Sequence, residues 1–207
     1  MNKINYQLEL DKIIQGLTAR GEVPTLLMHS CCAPCSSYCL SYLAEYFHIT
    51  IFYYNPNISP ESEYQKRVRE QQRLIGELPV KYPIAFQEGR YDPERFFAMA
   101  QGMEQIPEGG ARCFRCYEMR QREAAIVAKE GGFDYFTTTL SVSPHKNAQK
   151  LNEIGLQLQE EYGIKYLVSD FKKRGGYLRS IELSREYDLY RQNYCGCVYS
   201  KGEGEGL

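Results

Sequence analysis

Thr25-Leu26-Leu27-Met28-His29-Ser30-Cys31-Cys32-Ala33-Pro34-Cys35 joins an unbroken apolar run to a cysteine-rich loop and a proline. A short apolar run without alternation reads as a strand buried on both faces. Proline fits the first turn of a helix, where its missing N–H would have had no partner. The stretch therefore reads as strand, loop and helix, the helix reaching Tyr46 or Phe47. The same alternation continues outward. A helical stripe over residues 5–19 precedes it, and Ile49 to Tyr54 reads as a second strand. Ser62 to Leu78 is an amphipathic helix, Val80 to Phe86 a third strand, and Pro93 to Met103 a helix. Cys113 to Lys129 forms another helix, followed by a strand at Tyr135 to Leu140 and a helix at Lys146 to Tyr162. A fifth strand at Lys165 to Ser169 and a last helix at Tyr177 to Tyr190 complete the pattern. Alternating strands and helices imply an α/β fold, a parallel sheet with helices on both faces. Right-handed crossovers give the strand order 3-2-1-4-5, with winding reversed between the first and fourth strands. Ligands bind at the carboxyl ends of the strands at such a switch point, which is where His29 to Cys35 and Ser141 to His145 emerge.

With 207 residues, the chain is long enough to bury a core without disulfide staples. Residues 1–200 read as one catalytic α/β domain, and the Gly/Glu-rich 201–207 as a disordered tail. No apolar run approaches the roughly 20 residues of a membrane span, and the amino terminus lacks a signal-peptide core, so a cytoplasmic protein is expected. A net charge of −1 argues against a general nucleic-acid coat but allows a local basic face.

Seven of the eight cysteines fall into three groups: Cys31, Cys32 and Cys35; Cys113 and Cys116; Cys195 and Cys197. In a reduced compartment such grouping means metal or redox chemistry. Cys113 and Cys116, spaced i, i+3 at a helix start, present both sulfurs to one side, and the helix terminus with Arg112 and Arg115 favours thiolate. Cys195-Gly196-Cys197 permits a tight turn suited to a redox dithiol or two metal ligands. Adjacent Cys31 and Cys32 chelate one ion awkwardly and more easily serve two irons of one cubane or two metal sites. A structural zinc uses four ligands, fewer than are present. A [4Fe–4S] cluster also takes four, leaving thiols for a redox pair or an additional mononuclear iron. Cys39 reads as a core residue. His29, at a strand end beside the cysteine loop, reads as a core histidine or a proton donor. His145 can meet a phosphate at a helix start or simply belong to a capping loop. Among the basic stretches, Lys172-Lys173-Arg174-Gly175-Gly176 is the best candidate for gripping a phosphate backbone, because a Gly-flanked loop adapts to it.

His29-Ser30-Cys31-Cys32-Ala33-Pro34-Cys35, Arg112-Cys113-Phe114-Arg115-Cys116-Tyr117 and Tyr194-Cys195-Gly196-Cys197 together resemble the QueH family of epoxyqueuosine reductases, as do Tyr53 to Ile58 and Tyr91-Asp92-Pro93. The resemblance implies a HUP-like, Rossmann-type fold whose ATP-binding Ser-Gly-Gly-x-Asp-Ser loop is replaced by Ser30 to Cys35. It implies reduction of the epoxide of epoxyqueuosine in a tRNA anticodon loop to the cyclopentene of queuosine, with loss of water. It also implies a [4Fe–4S] cluster on Cys31, Cys32, Cys113 and Cys116, with Cys195 and Cys197 as a redox-active pair able to form a disulfide. In a competing arrangement Cys32, Cys113, Cys116 and Cys195 hold the cluster, and Cys31, Cys35 and Cys197 hold an additional iron. His29 or Tyr117 is the expected proton donor, Lys172, Lys173 and Arg174 the expected tRNA contacts, and a ferredoxin or flavodoxin the expected electron donor. Two alternatives share parts of this pattern: an ATP-independent tRNA sulfur-insertion enzyme and a zinc-stabilised RNA-binding module without catalysis.

Overall fold

A computed structural model describes residues 4–200. The first helix, α1 (Tyr6–Arg20), starts where the Asn5 side chain accepts from the Leu8 N–H and stops at Gly21, whose φ of 66° suits glycine. Then follow β1 (Thr25–His29), α2 (Ala33–Leu43), β2 (His48–Tyr53), α3 (Glu61–Glu77), β3 (Ala85–Glu88), α4 (Pro93–Ala100), α5 (Ala111–Glu130), β4 (Tyr135–Thr138), α6 (Ala148–Tyr162), β5 (Lys165–Tyr166) and α7 (Gly176–Glu186). The five strands are all parallel in the order β3-β2-β1-β4-β5, as the alternation predicts. At the start of β1, the Thr25 N–H and hydroxyl both donate at 2.8 Å to Asp134, which ties β1 to the start of β4 and holds that carboxyl below its ordinary range.

Neighbouring β1 residues face opposite layers, which is why the strand is apolar throughout. Leu26 and Met28 pack with Leu10 and Ile14 of α1, Leu40 of α2 and Leu74 of α3. Leu27 packs with Phe136 of β4, with Ala124, Ala125 and Ala128 of α5, and with Leu151 and Leu158 of α6. Burying each leucine contributes roughly 1.5–3 kcal/mol. Small residues set the approach on the second face: a Cβ at Gly155 of α6 would lie 2.3 Å from the Tyr166 ring of β5.

Several elements are shorter than the pattern predicts. β3 begins only at Ala85, because Pro79 and Pro83 disfavour regular pairing in the run before it. β4 gives way after Thr138 to a 3₁₀ turn over Thr139–Val142, and β5 spans two residues. α2 stops at Leu43, and α7 at Glu186. The third cysteine group is therefore delivered by an irregular arm from residue 187 onward rather than by a helix. Arg73 of α3 holds the start of that arm by donating to the carbonyls of Tyr187 and Asp188, and Glu70 accepts from the Tyr190 N–H at 2.7 Å. The sequence tail, 201–207, lies outside the described residues.

Candidate metal centre and active-site cavity

Three thiols meet at the carboxyl end of β1: the Sγ atoms of Cys31, Cys32 and Cys35 all lie within 4.8 Å of one another. The loop that carries them is anchored by polar groups. Ser30 and Ser36 both donate to Oε1 of Gln71, Asn55 donates to the Ser30 carbonyl, and the Tyr53 hydroxyl donates to the Cys31 carbonyl. Cys32 caps α2 with extended backbone but no side-chain cap bond, so its sulfur remains available to its neighbours. Hydrogen bonds from Cys31 and Cys35, with Arg67 nearby, hold the Cys32 thiol well below its ordinary range; sharing that charge pushes Cys31 and Cys35 up. One thiolate shared among three sulfurs is a ready donor set for a metal. Among the described residues no other set of three or more His, Cys, Asp or Glu ligand atoms is as close. None of the ligand sets expected from sequence forms so close a group; the triad joins Cys31 and Cys32 to Cys35, which the competing arrangement places on an additional iron with Cys31 and Cys197.

The other cysteines approach from α5 and from the arm. Cys113 accepts from the Gly109 N–H at 3.3 Å, and burial pushes the Cys116 thiol up to about 11. Cys197 is buried against Phe96, Cys116 and Met119. Cys195 Sγ lies 3.4 Å from the Lys146 ammonium, which donates to it. Gly196 between them has φ 112°, and a Cβ there would lie 3.0 Å from Arg67, so the tight turn read from Cys-Gly-Cys needs its glycine. The arm is fixed at this point by the Ser59 N–H, which donates to the Gly196 carbonyl, and by Arg67, which donates to that of Cys195. All eight cysteines are free thiols, and Cys39 is wholly buried in the core.

A cavity of about 630 Å³ opens over the triad, and Cys195 lines it too. Arg120, Lys146, Tyr177, Arg191 and Asn193 also line it. Sequence reasoning singled out none of these five. Arg67 and Arg120 are each 1 % exposed, and each has an Nη2 without a hydrogen-bond partner. Arg67 pairs with Glu63 at 2.7 Å, whereas Arg120 has only the Cys116 carbonyl and the Asn55 amide oxygen.

His29 is wholly buried, with Nδ1 2.9 Å from the Thr138 hydroxyl and Nε2 3.0 Å from the Tyr54 carbonyl. The carbonyl requires an N–H, so Nε2 carries the proton and Nδ1 accepts from Thr138. Desolvation, with Arg120 nearby, lowers its pKa to about 3. Tyr117 is buried beside Phe114, and desolvation raises its pKa, which keeps the phenol protonated. His145 is exposed and lines both this cavity and a second one of about 570 Å³, where Lys172 and Lys173 stand. Lys172 pairs with Asp170 at 2.6 Å and Arg174 with Asp11 at 2.5 Å, leaving exposed Lys173 without an ion pair. No helix among the described residues is long and apolar enough to cross a membrane.

The family model described as epoxyqueuosine reductase QueH matches residues 26–203, a span that includes all three cysteine groups. The protein named Epoxyqueuosine reductase QueH from Staphylococcus epidermidis is 46% identical over 96% of this chain and 85% of its own length. The relative of that name from Streptococcus pyogenes is 44% identical over 96% of the chain and 78% of its own length. A third, from Thermotoga maritima, is 36% identical over 85% of the chain and 90% of its own length. Matches of this extent, spanning the β1 loop, the start of α5 and the arm, place the chain in the epoxyqueuosine reductase QueH family.

Proposed function

We propose that the protein reduces epoxyqueuosine in tRNA to queuosine, removing the epoxide oxygen as water. The observation that carries this reading is the Cys31, Cys32 and Cys35 triad in the floor of a cavity that Cys195 also lines. At about 630 Å³ the cavity is in the size range of small-ligand sites, large enough for one extruded nucleoside. Tyr177 on its wall offers a face for stacking a base from a single-stranded anticodon loop. A tRNA substrate places this work in the cytosol.

The donor set fits an iron–sulfur centre. Soft thiolates select iron–sulfur clusters or zinc, and the unpartnered Nη2 of buried Arg67 suits a negatively charged thiolate assembly. Cys31, Cys32 and Cys35 would supply its first ligands, with Cys113, Cys116, Cys195 and Cys197 as the remaining thiolates for a [4Fe–4S] cluster and an additional iron. Such a centre supplies one-electron transfer and a Lewis acid for oxygen. Cys195 and Cys197 alternatively act as a redox pair that closes to a disulfide. His29, neutral and doubly hydrogen-bonded, holds the ends of β1 and β4 together rather than moving a proton. Tyr117 is the better proton source of the two, since its phenol stays protonated. A ferredoxin or flavodoxin is the natural electron donor.

Of the basic loop, Lys173 is the residue free to meet a phosphate; Lys172 and Arg174 would first have to leave their carboxylates. Lys173→Ala should lower the slope of log binding constant against log salt by about one. An unchanged slope would remove Lys173 from the interface. The reading as a whole is tested by iron, acid-labile sulfide and the absorption spectrum of protein purified without oxygen, followed by assay on epoxyqueuosine tRNA. Iron with sulfide and conversion to queuosine tRNA is the expected result. Zinc without sulfide would leave a structural RNA-binding module as the account, and labelled sulfide entering tRNA would point to sulfur insertion.

A further inference from the structure

We propose that Arg120 and Lys146 form an oxyanion site, the pair of cations that receives the epoxide oxygen as it gains negative charge during C–O cleavage. The inference deepens the reductase reading and rests on it. Both residues line the cavity shared by the triad and Cys195. Arg120 is 1 % exposed and makes no ion pair with a carboxylate; its Nε donates to the Cys116 carbonyl at 3.4 Å and its Nη1 to the Asn55 amide oxygen at 3.2 Å. Its Nη2 meets neither oxygen nor sulfur, so the nearby thiols do not satisfy it.

The other buried arginines differ. Arg67 also has an Nη2 without a partner, but it is matched by Glu63 and does not line the cavity, and Arg112 donates to the carbonyls of Met103, Glu104 and Ile106. A desolvated cation with a donor to spare, lining a cavity, is arranged for negative charge that arrives from outside the chain. Lys146 adds a second, half-buried cation: it has no carboxylate partner, and its bond to Cys195 Sγ engages one of three ammonium protons.

The reaction supplies an anion of this kind. Two electrons from a low-potential one-electron donor protein enter, the two C–O bonds of the epoxide break, and a C=C bond forms between its carbons. The oxygen departs as water with two protons drawn from solvent. Between the first cleavage and protonation the oxygen carries negative charge, and fixed donors act most strongly at that moment. Arg120 and Lys146 are thus assigned as catalytic residues, not as anchors for the tRNA backbone.

The test uses the loaded enzyme, dithionite in excess as electron source, and epoxyqueuosine tRNA. The variants are Arg120→Lys, Arg120→Gln and Lys146→Met, each checked for its melting transition, iron and sulfide content and absorption spectrum. Lys146 is only half-buried, so its variant remains informative if a change at Arg120 prevents folding. The expected result is kcat per loaded centre lower by roughly 100-fold for Arg120→Gln and Lys146→Met, with KM for the tRNA little changed and Arg120→Lys intermediate. Unchanged kcat per loaded centre overturns the proposal. So does a loss of activity that follows iron content alone, which would make the cations counter-charges that retain the metal. Failure of the loaded wild-type enzyme to convert the tRNA would instead bring down the reductase reading itself.

Discussion

The triad loop and the carboxyl-terminal arm bring thiols to one cavity by opposite means. Cys31, Cys32 and Cys35 sit on a strand-to-helix junction, where the sheet, Gln71, Asn55 and Tyr53 fix the backbone. Cys195 and Cys197 ride on a segment without regular structure, held by Arg67, Arg73, Glu70 and the Ser59 N–H. The first arrangement belongs to the scaffold and persists while the sheet does. The second rests on side-chain and loop contacts, from Leu189 in the core to Lys146 beside Cys195 and Phe96, Cys116 and Met119 around Cys197, and is expected to open before the sheet does. A rigid base and a tethered arm suit the proposed centre, which would have to hold a metal tightly yet admit a bulky nucleotide.

The sharpest way to break this contrast is to compare Cys32→Ser with Cys197→Ser. Loss of the thiol held as thiolate at the centre of the triad should lower iron retention at least tenfold, on the order of the loss seen when a metal site is disturbed. Cys197→Ser should retain more iron. Equal losses in anaerobic iron assays would mean that the arm is as much a part of the metal scaffold as the triad.

Gly196→Ala comes next in size. Forcing a side chain to φ 112° beside Arg67 and Ile58 costs roughly 1–3 kcal/mol, a strain concentrated where the arm meets α3 and the loop before it. Proteolysis within the arm should accelerate about tenfold or more while the global melting temperature moves little. A fall in melting temperature with no change in cleavage would show that arm and core unfold together.

A third prediction concerns the scaffold and pH. The folded-state pKa of His29, about 3, lies below its unfolded value near 6.5, so the unfolded chain binds more protons between these limits. Stability therefore falls as pH drops through that window, by about 1.4 kcal/mol per unit well below pH 6.5. Urea unfolding of metal-free protein at pH 7 and pH 5 should differ by roughly 2 kcal/mol. Identical midpoints would mean that His29 is not the buried neutral group that ties β1 to β4.

The sheet was legible in the chain because its central strand, β1, is apolar on both faces, whereas the edge strand β3 carries Gln87 and Glu88 and is mostly exposed. Leu26 and Leu27 point to opposite layers, and nothing but a doubly covered strand accommodates both. The β1 loop was legible as the site because strand order and cysteine grouping pointed to the same end of the sheet. The limits of β3, β5 and α7 were harder to read: an apolar run does not say how many of its residues find a neighbouring strand, and proline and local turns decide that. The basic loop was only half legible: Asp170, two residues from Lys172, stands in the local sequence, but Asp11, which neutralises Arg174, is brought there by folding.

By itself the sequence determined an α/β parallel sheet in the order 3-2-1-4-5, three cysteine groups available for metal or redox chemistry, and a family resemblance. Those properties are written in short-range patterns: periodicity, proline and glycine positions, and motif spacing. Only the tertiary structure decided that Cys195 meets Lys146 and that Arg120 stands buried without a carboxylate. The physical reason is distance. A contact of a few ångströms between residues far apart in the chain depends on how α5, α6 and the arm pack against the sheet, and no local pattern carries that information.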